Sequence, residues 1–261
     1  MERINLVELC AGYGSQALAF KQLGLPYDIV AWSEFDPESK KPLDEQPAVI
    51  AHNLLHPEAK GRNLGDMTKI DWKAWRKQHP QIEIDLLTYS TPCQSISQAG
   101  LQHGLTEGSG TRSSILWYTE NAIRELLPKY LLQENVKALI SRKFLPDFLK
   151  WQRKVEALGY TNYWKVMNAK DYGVPQNRER VFMVSIRNDI ERNTFTFPYP
   201  RKLQTVLADI LEQDADKRFF LKDEMVEKFL RNNEKEGDEY IYRVTERKFT
   251  EGELQEILAN G

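Results

Sequence analysis

The first 34 residues constrain the fold more than any other stretch. Ile4-Asn5-Leu6-Val7-Glu8-Leu9 is an apolar, strand-like run, and Ala11-Gly12-Tyr13-Gly14-Ser15 is a tight turn. Ala17 to Leu23 carries a helical pattern that stops at Gly24 and Pro26. Tyr27 to Ser33 returns as a strand, ends at Glu34, and is followed by Asp36-Pro37. A β-turn-α-β unit of this kind belongs in an α/β sheet. Glycines let backbone N–H groups approach a ligand closely, and a carboxylate at the next strand tip accepts bonds from ribose hydroxyls. Gly12-Tyr13-Gly14-Ser15-Gln16-Ala17 fits the looser G-x-G-x-x-A pattern, and Glu34 lies 20 residues beyond Gly14. The glycines alone suit any strand–helix turn. With Glu34 they point to a cofactor, as in the nucleotide-binding half of a Rossmann-type sheet.

A second focus is Tyr89-Ser90-Thr91-Pro92-Cys93-Gln94, which follows the β-branched run Ile82-Glu83-Ile84-Asp85-Leu86-Leu87. That run reads as a buried strand of a parallel sheet. Open α/β sheets place ligands at the carboxyl ends of such strands, where Pro92 and Cys93 stand. Cys93 is a nucleophile once it becomes a thiolate, or a small buried residue if it does not.

The rest of the chain supplies further elements. Lys40 to Asn63 reads as short helix and loops, Gly65-Asp66-Met67-Thr68 as a turn, and Asp71 to Gln78 as a helix. Asp66 is either a ligand-binding carboxylate or a turn residue. Gly100, Gly104, Gly108 and Gly110 interrupt residues 99 to 111, a composition suited to a mobile loop closing over a substrate. Ser113 to Leu127 and Phe144 to Leu158 read as helices; Tyr130 to Gln133, Tyr160 to Asn168 and Val181 to Ile186 read as strands. Arg178 and Arg180, two apart, share one face entering the last of these. Thr205 to Gln213 and Asp223 to Lys235 look like short helices after a Pro- and Phe-containing linker, with a charged tail beyond.

Composition excludes several classes. The net charge of −2 argues against a uniformly basic nucleic-acid coat, although residues 141–202 hold 13 Lys and Arg against 6 Asp and Glu. Cys10 and Cys93 are the only cysteines, too few for a disulfide framework or a cysteine-rich metal site. His52 and His56 stand one helical turn apart but lack further ligands, and are expected to be solvated; no metal is expected. The chain opens directly on a strand and has no apolar run of about 20 residues, so neither a signal peptide nor a membrane span is expected and the cytoplasm is the default.

The order of these motifs resembles the DNA (cytosine-5)-methyltransferase family. The resemblance runs over residues 4 to 221. It is carried by Glu8-Leu9-Cys10-Ala11-Gly12-Tyr13-Gly14, Glu34, Gly65-Asp66, Pro92-Cys93-Gln94, Glu134-Asn135-Val136 and Gln176-Asn177-Arg178-Glu179-Arg180. It implies a doubly wound, mainly parallel α/β sheet of the Rossmann-like, S-adenosylmethionine-dependent methyltransferase type, with a short, partly helical C-terminal extension. Cys10, Ala11, Gly12 and Gly14, with Glu34 on the ribose, Asp66 on the adenine amino group and Pro92, would then hold S-adenosylmethionine. Cys93 would attack C6 of a cytosine flipped out of double-stranded DNA. Glu134 would hydrogen-bond or protonate N3, and Arg178 and Arg180 would bind the base carbonyl and a nearby phosphate. A restriction-modification system is the implied setting.

Two departures from the family pattern matter. Cys10 and Ser15 stand where the family has Phe and Gly. The final Gly-Asn motif after the variable target-recognition region is not found; residues 260 and 261 are Asn and Gly, the reverse order. The expectation is therefore a catalytic domain over 1–200 and an extension over 201–261, either as a fragment or as half of a split enzyme with a second polypeptide supplying target recognition. Competing readings are a tRNA cytosine methyltransferase, a non-catalytic DNA-binding or regulatory subunit, and an NAD-dependent dehydrogenase. The dehydrogenase would have no use for Pro92-Cys93-Gln94.

Overall fold

The computed structural model describes residues 3–96, 104–212, 215–216, 218 and 220–226. Its backbone divides into two compact units, Met1–Val206 and Leu207–Gly261. The first unit holds a six-stranded sheet in the order β2-β1-β3-β4-β6-β5. Its strands are β1 (Ile4–Leu9), β2 (Tyr27–Ser33), β3 (Leu86–Tyr89), β4 (Tyr130–Val136), β5 (Tyr160–Asn168) and β6 (Glu179–Arg187). The β1–β2, β1–β3 and β3–β4 pairs are parallel; β4–β6 and β6–β5 are antiparallel.

Chain connections leave β1 in one direction toward β2 and later return to its other side with β3. That reversal is a topological switch point, the place at the carboxyl ends of the strands where open α/β sheets bind ligands. The glycine turn follows β1 and the Cys93 loop follows β3, so both lie on this rim.

Both faces of the sheet are covered. Helices α1 (Ser15–Gln22) and α2 (Pro47–Leu55) bury Ala17 and Val49 against Leu6, Ile29 and Trp32. On the other face, helices α3 (Trp72–Gln78), α4 (Thr119–Leu126) and α5 (Leu145–Ala157) contribute Trp72, Trp75, Ile123, Leu126, Phe148 and Trp151. These pack on Val7, Leu9, Leu87, Leu131, Val181 and Met183. Alternation along β1, with Leu6 on one face and Val7 and Leu9 on the other, lets one strand serve both cores. Burial of this kind contributes about 1.5–3 kcal/mol per large apolar side chain.

Several boundaries differ from the sequence reading. β3 starts only at Leu86; Ile84 is buried but lies ahead of the strand, where Asp85 accepts from the Asn5 amide through its side chain. β4 runs on through Glu134-Asn135-Val136 because β6 pairs with it antiparallel along its whole length. The helix expected from Ser113 opens as a 3-10 segment, Arg112–Tyr118, before α4 begins.

In the second unit, a single 3-10 turn at Leu207–Ile210 stands in the segment expected as a helix over Thr205–Gln213. So short a helix is marginal on propensity alone. Residues 223–226 are helical, while the rest of the expected Asp223–Lys235 helix and the charged tail lie outside the described residues. Within the glycine-rich segment, residues 97–103, Gly100 included, also lie outside them. Among the described residues no helix is long and apolar enough to cross a membrane.

Candidate active site

Three positions in the turn after β1 take left-handed backbone: Cys10 (φ 52), Gly12 (φ 57) and Gly14 (φ 78). The Gly12 N–H donates to Glu34 Oε2 at 2.7 Å, and the Ala11 N–H to the Ser33 carbonyl at 3.0 Å. The turn is thus laced to the tip of β2. A Cβ added to Gly12 would meet nothing within 4 Å, so the outer side of the turn is open. Burial pushes the Glu34 carboxyl up; the backbone N–H groups of Gly12 and Phe35 pull it partly back.

Asn63 organises the same rim. Its Oδ1 accepts from the Glu34 and Gly65 amides, and its Nδ2 donates to the Glu34 carbonyl. Asp66, just beyond, closes its own turn: Oδ1 accepts from the Thr68 amide and hydroxyl, and Oδ2 lies 3.2 Å from Lys69 Nζ. Burial alone would raise its pKa, but Thr68 and Lys69 outweigh it and hold the carboxyl below the usual range. The Cys10 side chain points beneath the turn, with Sγ 3.3 Å from Met67 Sδ. Burial, then Glu34 and Asp66, drive its thiol pKa far up, so Cys10 stays a neutral thiol.

The Cys93 loop is placed from two sides. Asn135 Nδ2, on buried β4 backbone, donates to the Thr91 carbonyl at 3.2 Å, two residues before Cys93. Ser113 Oγ donates to the Pro92 carbonyl at 2.7 Å and accepts from the Ser95 amide. Cys93 itself is half-buried against the α3–α5 core. Tyr89 and Gln133 are register partners, so the Cys93 loop leaves the sheet beside Glu134, the next residue of β4.

Glu134 Oε1 accepts from Arg180 Nε at 3.0 Å, across the antiparallel β4–β6 pair. Burial raises the Glu134 pKa, and Arg180 and then Arg178 offset this only in part. Arg178 is exposed, its backbone N–H held by Asn168 Oδ1. The strand tips therefore bring Cys10, Ala11, Gly12, Gly14 and Glu34 together at one end of the rim. Pro92, Cys93, Glu134, Arg178 and Arg180 gather at the other.

Arg112 spans the two ends, a role sequence reading missed. It donates to Gln94 Oε1 at 2.9 Å and pairs with Asp36 and Glu38 at 3.2 and 3.0 Å. Asn63, Ser113 and Asn135 were missed as well; only the adjacency of Asn135 to Glu134 hinted at it. The histidines need a correction. His52 and His56, expected to be solvated, are both fully buried, because α2 packs them under the glycine turn. Among the described residues no group of His, Cys, Asp and Glu could hold a metal ion.

An open sheet whose switch point carries both a turn for a nucleotide-like group and a half-buried thiol suits an enzyme of group transfer. Comparison with known proteins makes the class specific. A family model described as C-5 cytosine-specific DNA methylase matches residues 4–259, and the chain belongs to that family. It is 35% identical to the type II methyltransferase M2.ScrFI of Lactococcus lactis subsp. cremoris, over 92% of this chain and 74% of that one. It is 38% identical to the orphan methyltransferase M.SssI of Spiroplasma monobiae, over 70% of this chain but only 48% of that one. The fold is similar to that of DNMT2 from Spodoptera frugiperda, with a TM-score of 0.62 and 20% identity, over 87% of this chain and 65% of that one.

Proposed function

We propose that the chain transfers a methyl group from S-adenosylmethionine to C5 of cytosine in double-stranded DNA, in a restriction-modification setting. The observation that carries this reading is Glu134: a carboxyl raised by burial, held by Arg180, and set beside the root of the Cys93 loop. Burial favours the protonated form of this carboxyl, the form that protonating a ring nitrogen requires.

The cofactor end fits S-adenosylmethionine in the features the residues present. Gly12 leaves open space on the outer side of the turn, and Glu34 offers a half-buried carboxylate for ribose hydroxyls. Asp66 keeps one carboxylate oxygen facing only the exposed Lys69, room for one more donor such as an adenine amino group. When bound, this cofactor supplies an electrophilic methyl group.

The chain's own residues would do the rest. Cys93 Sγ bonds to C6 of a flipped cytosine, and the displaced electron pair moves toward C5. Glu134 holds the proton at N3 that neutralises the ring, while Arg180 keeps its carboxyl in place. Once C5 has gained the methyl group and lost its proton to a base, the Sγ–C6 bond breaks and Cys93 leaves as thiolate. Arg178, exposed at the mouth, suits a phosphate oxygen.

The test is covalent trapping on duplex DNA containing 5-fluorocytosine with S-adenosylmethionine present, since fluorine at C5 blocks the final elimination. A denaturation-resistant adduct is expected, absent in Cys93→Ser, whose S-adenosylmethionine binding stays within about threefold of wild type. Turnover of Cys93→Ser on ordinary DNA should fall by at least about 10³-fold. Full activity in that variant, or trapping on tRNA instead of duplex DNA, would overturn the reading.

A further inference from the structure

The side of the glycine turn that faces the protein holds a buried polar cluster to which neither the sheet nor the proposed chemistry gives a task. Glu8, Trp32, His52 and His56 are all completely buried. His52 stacks on Trp32, with ring centroids 3.6 Å apart and planes 9° from parallel. Its Nε2 lies 3.4 Å from Glu8 Oε2. His56 sits at the end of α2, its ring centroid 4.9 Å from that of His52, and its Nε2 is 3.0 Å from the Gly14 carbonyl oxygen. A carbonyl only accepts, so His56 Nε2 carries the hydrogen and donates it.

Helix α1 explains why such a cluster is needed. Its N-cap is Gly14, which has no side chain to satisfy the first helical amides, and its first turn holds no acidic residue. The capping acceptor comes instead from β1: Glu8 Oε1 accepts from the Ala17 amide at 3.2 Å, and His52 holds the other carboxylate oxygen. The Gly14 carbonyl accepts twice, from the Leu18 amide at 2.9 Å and from His56.

Gly14 and the histidines also constrain each other sterically. A Cβ on Gly14 would lie 2.5 Å from His56 Nε2 and 3.1 Å from His52 Cδ2, on a backbone already at φ 78. The imidazoles therefore occupy the space that any other residue at position 14 would need.

We propose that His56, backed by His52 and Glu8, is a positioning residue for the cofactor turn. Its Nε2–H fixes the Gly14 carbonyl and so the left-handed turn from Cys10 to Gly14 on which S-adenosylmethionine would rest. The proposal rests on that reading of the turn. His56 is fully buried behind the turn, so its effect is on affinity and not on the chemical step.

Two substitutions of nearly equal size separate the hydrogen bond from packing: His56→Gln keeps an N–H donor near the Nε2 position, and His56→Met fills the space without one. Calorimetric titration with S-adenosylhomocysteine, thermal melting, and kcat at saturating S-adenosylmethionine are measured for both. Gln is expected to bind within about threefold of wild type. Met is expected to bind about 10-fold more weakly, the equivalent of one hydrogen bond of about 1.4 kcal/mol, with kcat within about twofold. Equal affinities for the Gln and Met variants, or a loss in kcat with affinity retained, would overturn the proposal. If Met does not fold, the Gln variant decides alone: loss of binding by a folded Gln protein overturns it, and retained binding upholds the donor role. Absence of binding by the wild type would instead remove the cofactor reading on which the proposal stands.

Discussion

Glu34 at the tip of β2 and Glu134 on β4 are both half-buried carboxylates whose pKa burial raises, yet the surroundings answer that burial differently. At the proposed cofactor end the offset is backbone: N–H groups of Gly12 and Phe35, on a turn braced from below by buried side chains. At the proposed catalytic end it is ionic, from Arg180 at 3.0 Å and the exposed Arg178. Backbone dipoles are fixed in place and hold a binding surface still. Arginine side chains can move, and they leave the carboxyl able to change its protonation state during a reaction. The two cysteines, both half-buried, repeat the contrast: the Cys10 sulfur lies against Met67 with its thiol pKa pushed up, while Cys93 stands on the loop after β3.

Breaking the ionic end should have the larger effect. Arg180→Ala leaves Glu134 without its hydrogen-bonded partner and is expected to lower kcat by about 10²–10⁴-fold, in steady-state methylation at saturating cofactor. Arg180→Lys should recover little, because a compact ammonium cannot reproduce the Nε–carboxylate geometry. Breaking the backbone end should act on binding instead. Glu34→Ala removes the acceptor of the Gly12 amide and is expected to weaken S-adenosylhomocysteine about 10- to 100-fold by titration, with kcat at saturation nearly unchanged. If Glu34→Ala lowered kcat as much as Arg180→Ala does, the division into a binding end and a catalytic end would be wrong.

The same contrast shows which parts of the proposed site have a local signature. Cys93, Glu134 and Arg180 are reactive or charged residues at the ends of apolar runs, and both their type and their place at a strand tip are local properties. β1, β2 and β5 were legible for the same reason, since an apolar run bounded by turn residues specifies a buried strand. His52 and His56 were misread because their burial depends on α2 packing beneath a turn more than 35 residues earlier in the chain. Polar residues on a nine-residue helix and at its C-cap carry no local sign of that packing. Arg112 and Asn63 work by reaching across elements, Arg112 to Asp36 and Asn63 to Glu34, and such reach depends on sheet order. The antiparallel β6–β5 edge was hidden too, for a strand's direction leaves no mark in its apolar pattern.

A pH experiment sharpens the comparison at smaller amplitude. Glu134 has its folded-state pKa raised above the unfolded value, so the folded protein binds more protons there than the unfolded chain. Its contribution to stability is full below the unfolded value of about 4.3 and is lost as pH rises through the folded one. Stability of the wild type relative to Glu134→Gln, from urea melts, should therefore decline as pH rises from about 4 toward neutrality. Added salt should change this slope by screening the partly exposed arginines. The corresponding curve for Glu34→Gln should fall in the same direction but respond less to salt, because hydrogen bonds from fixed amides do the offsetting there. Equal salt sensitivity of the two curves would mean that both carboxylates are held ionically.

The smallest effect expected is the one that separates the two cysteines. Cys10 lies on the turn proposed to hold the cofactor, yet its backbone and not its sulfur shapes that turn, through φ 52 and the neighbouring Ala11 and Gly12 amides. Cys10→Ala removes the Sγ contact with Met67 and a small buried volume, which should cost about 1 kcal/mol in a urea melt. Methyl transfer at saturating cofactor should stay within about twofold of wild type, because the variant keeps Cys93, Glu134 and Arg180 intact. Alanine tolerates the left-handed backbone no worse than cysteine does, so the turn itself should persist. Thiol alkylation of the native protein should correspondingly modify Cys10 slowly, because its thiol pKa is pushed up by burial and by Glu34 and Asp66. A Cys10→Ala protein that lost methyl transfer as Cys93→Ser is expected to would place reactive sulfur at the cofactor end, and the assignment of binding to one end of the rim and bond-making to the other would fail.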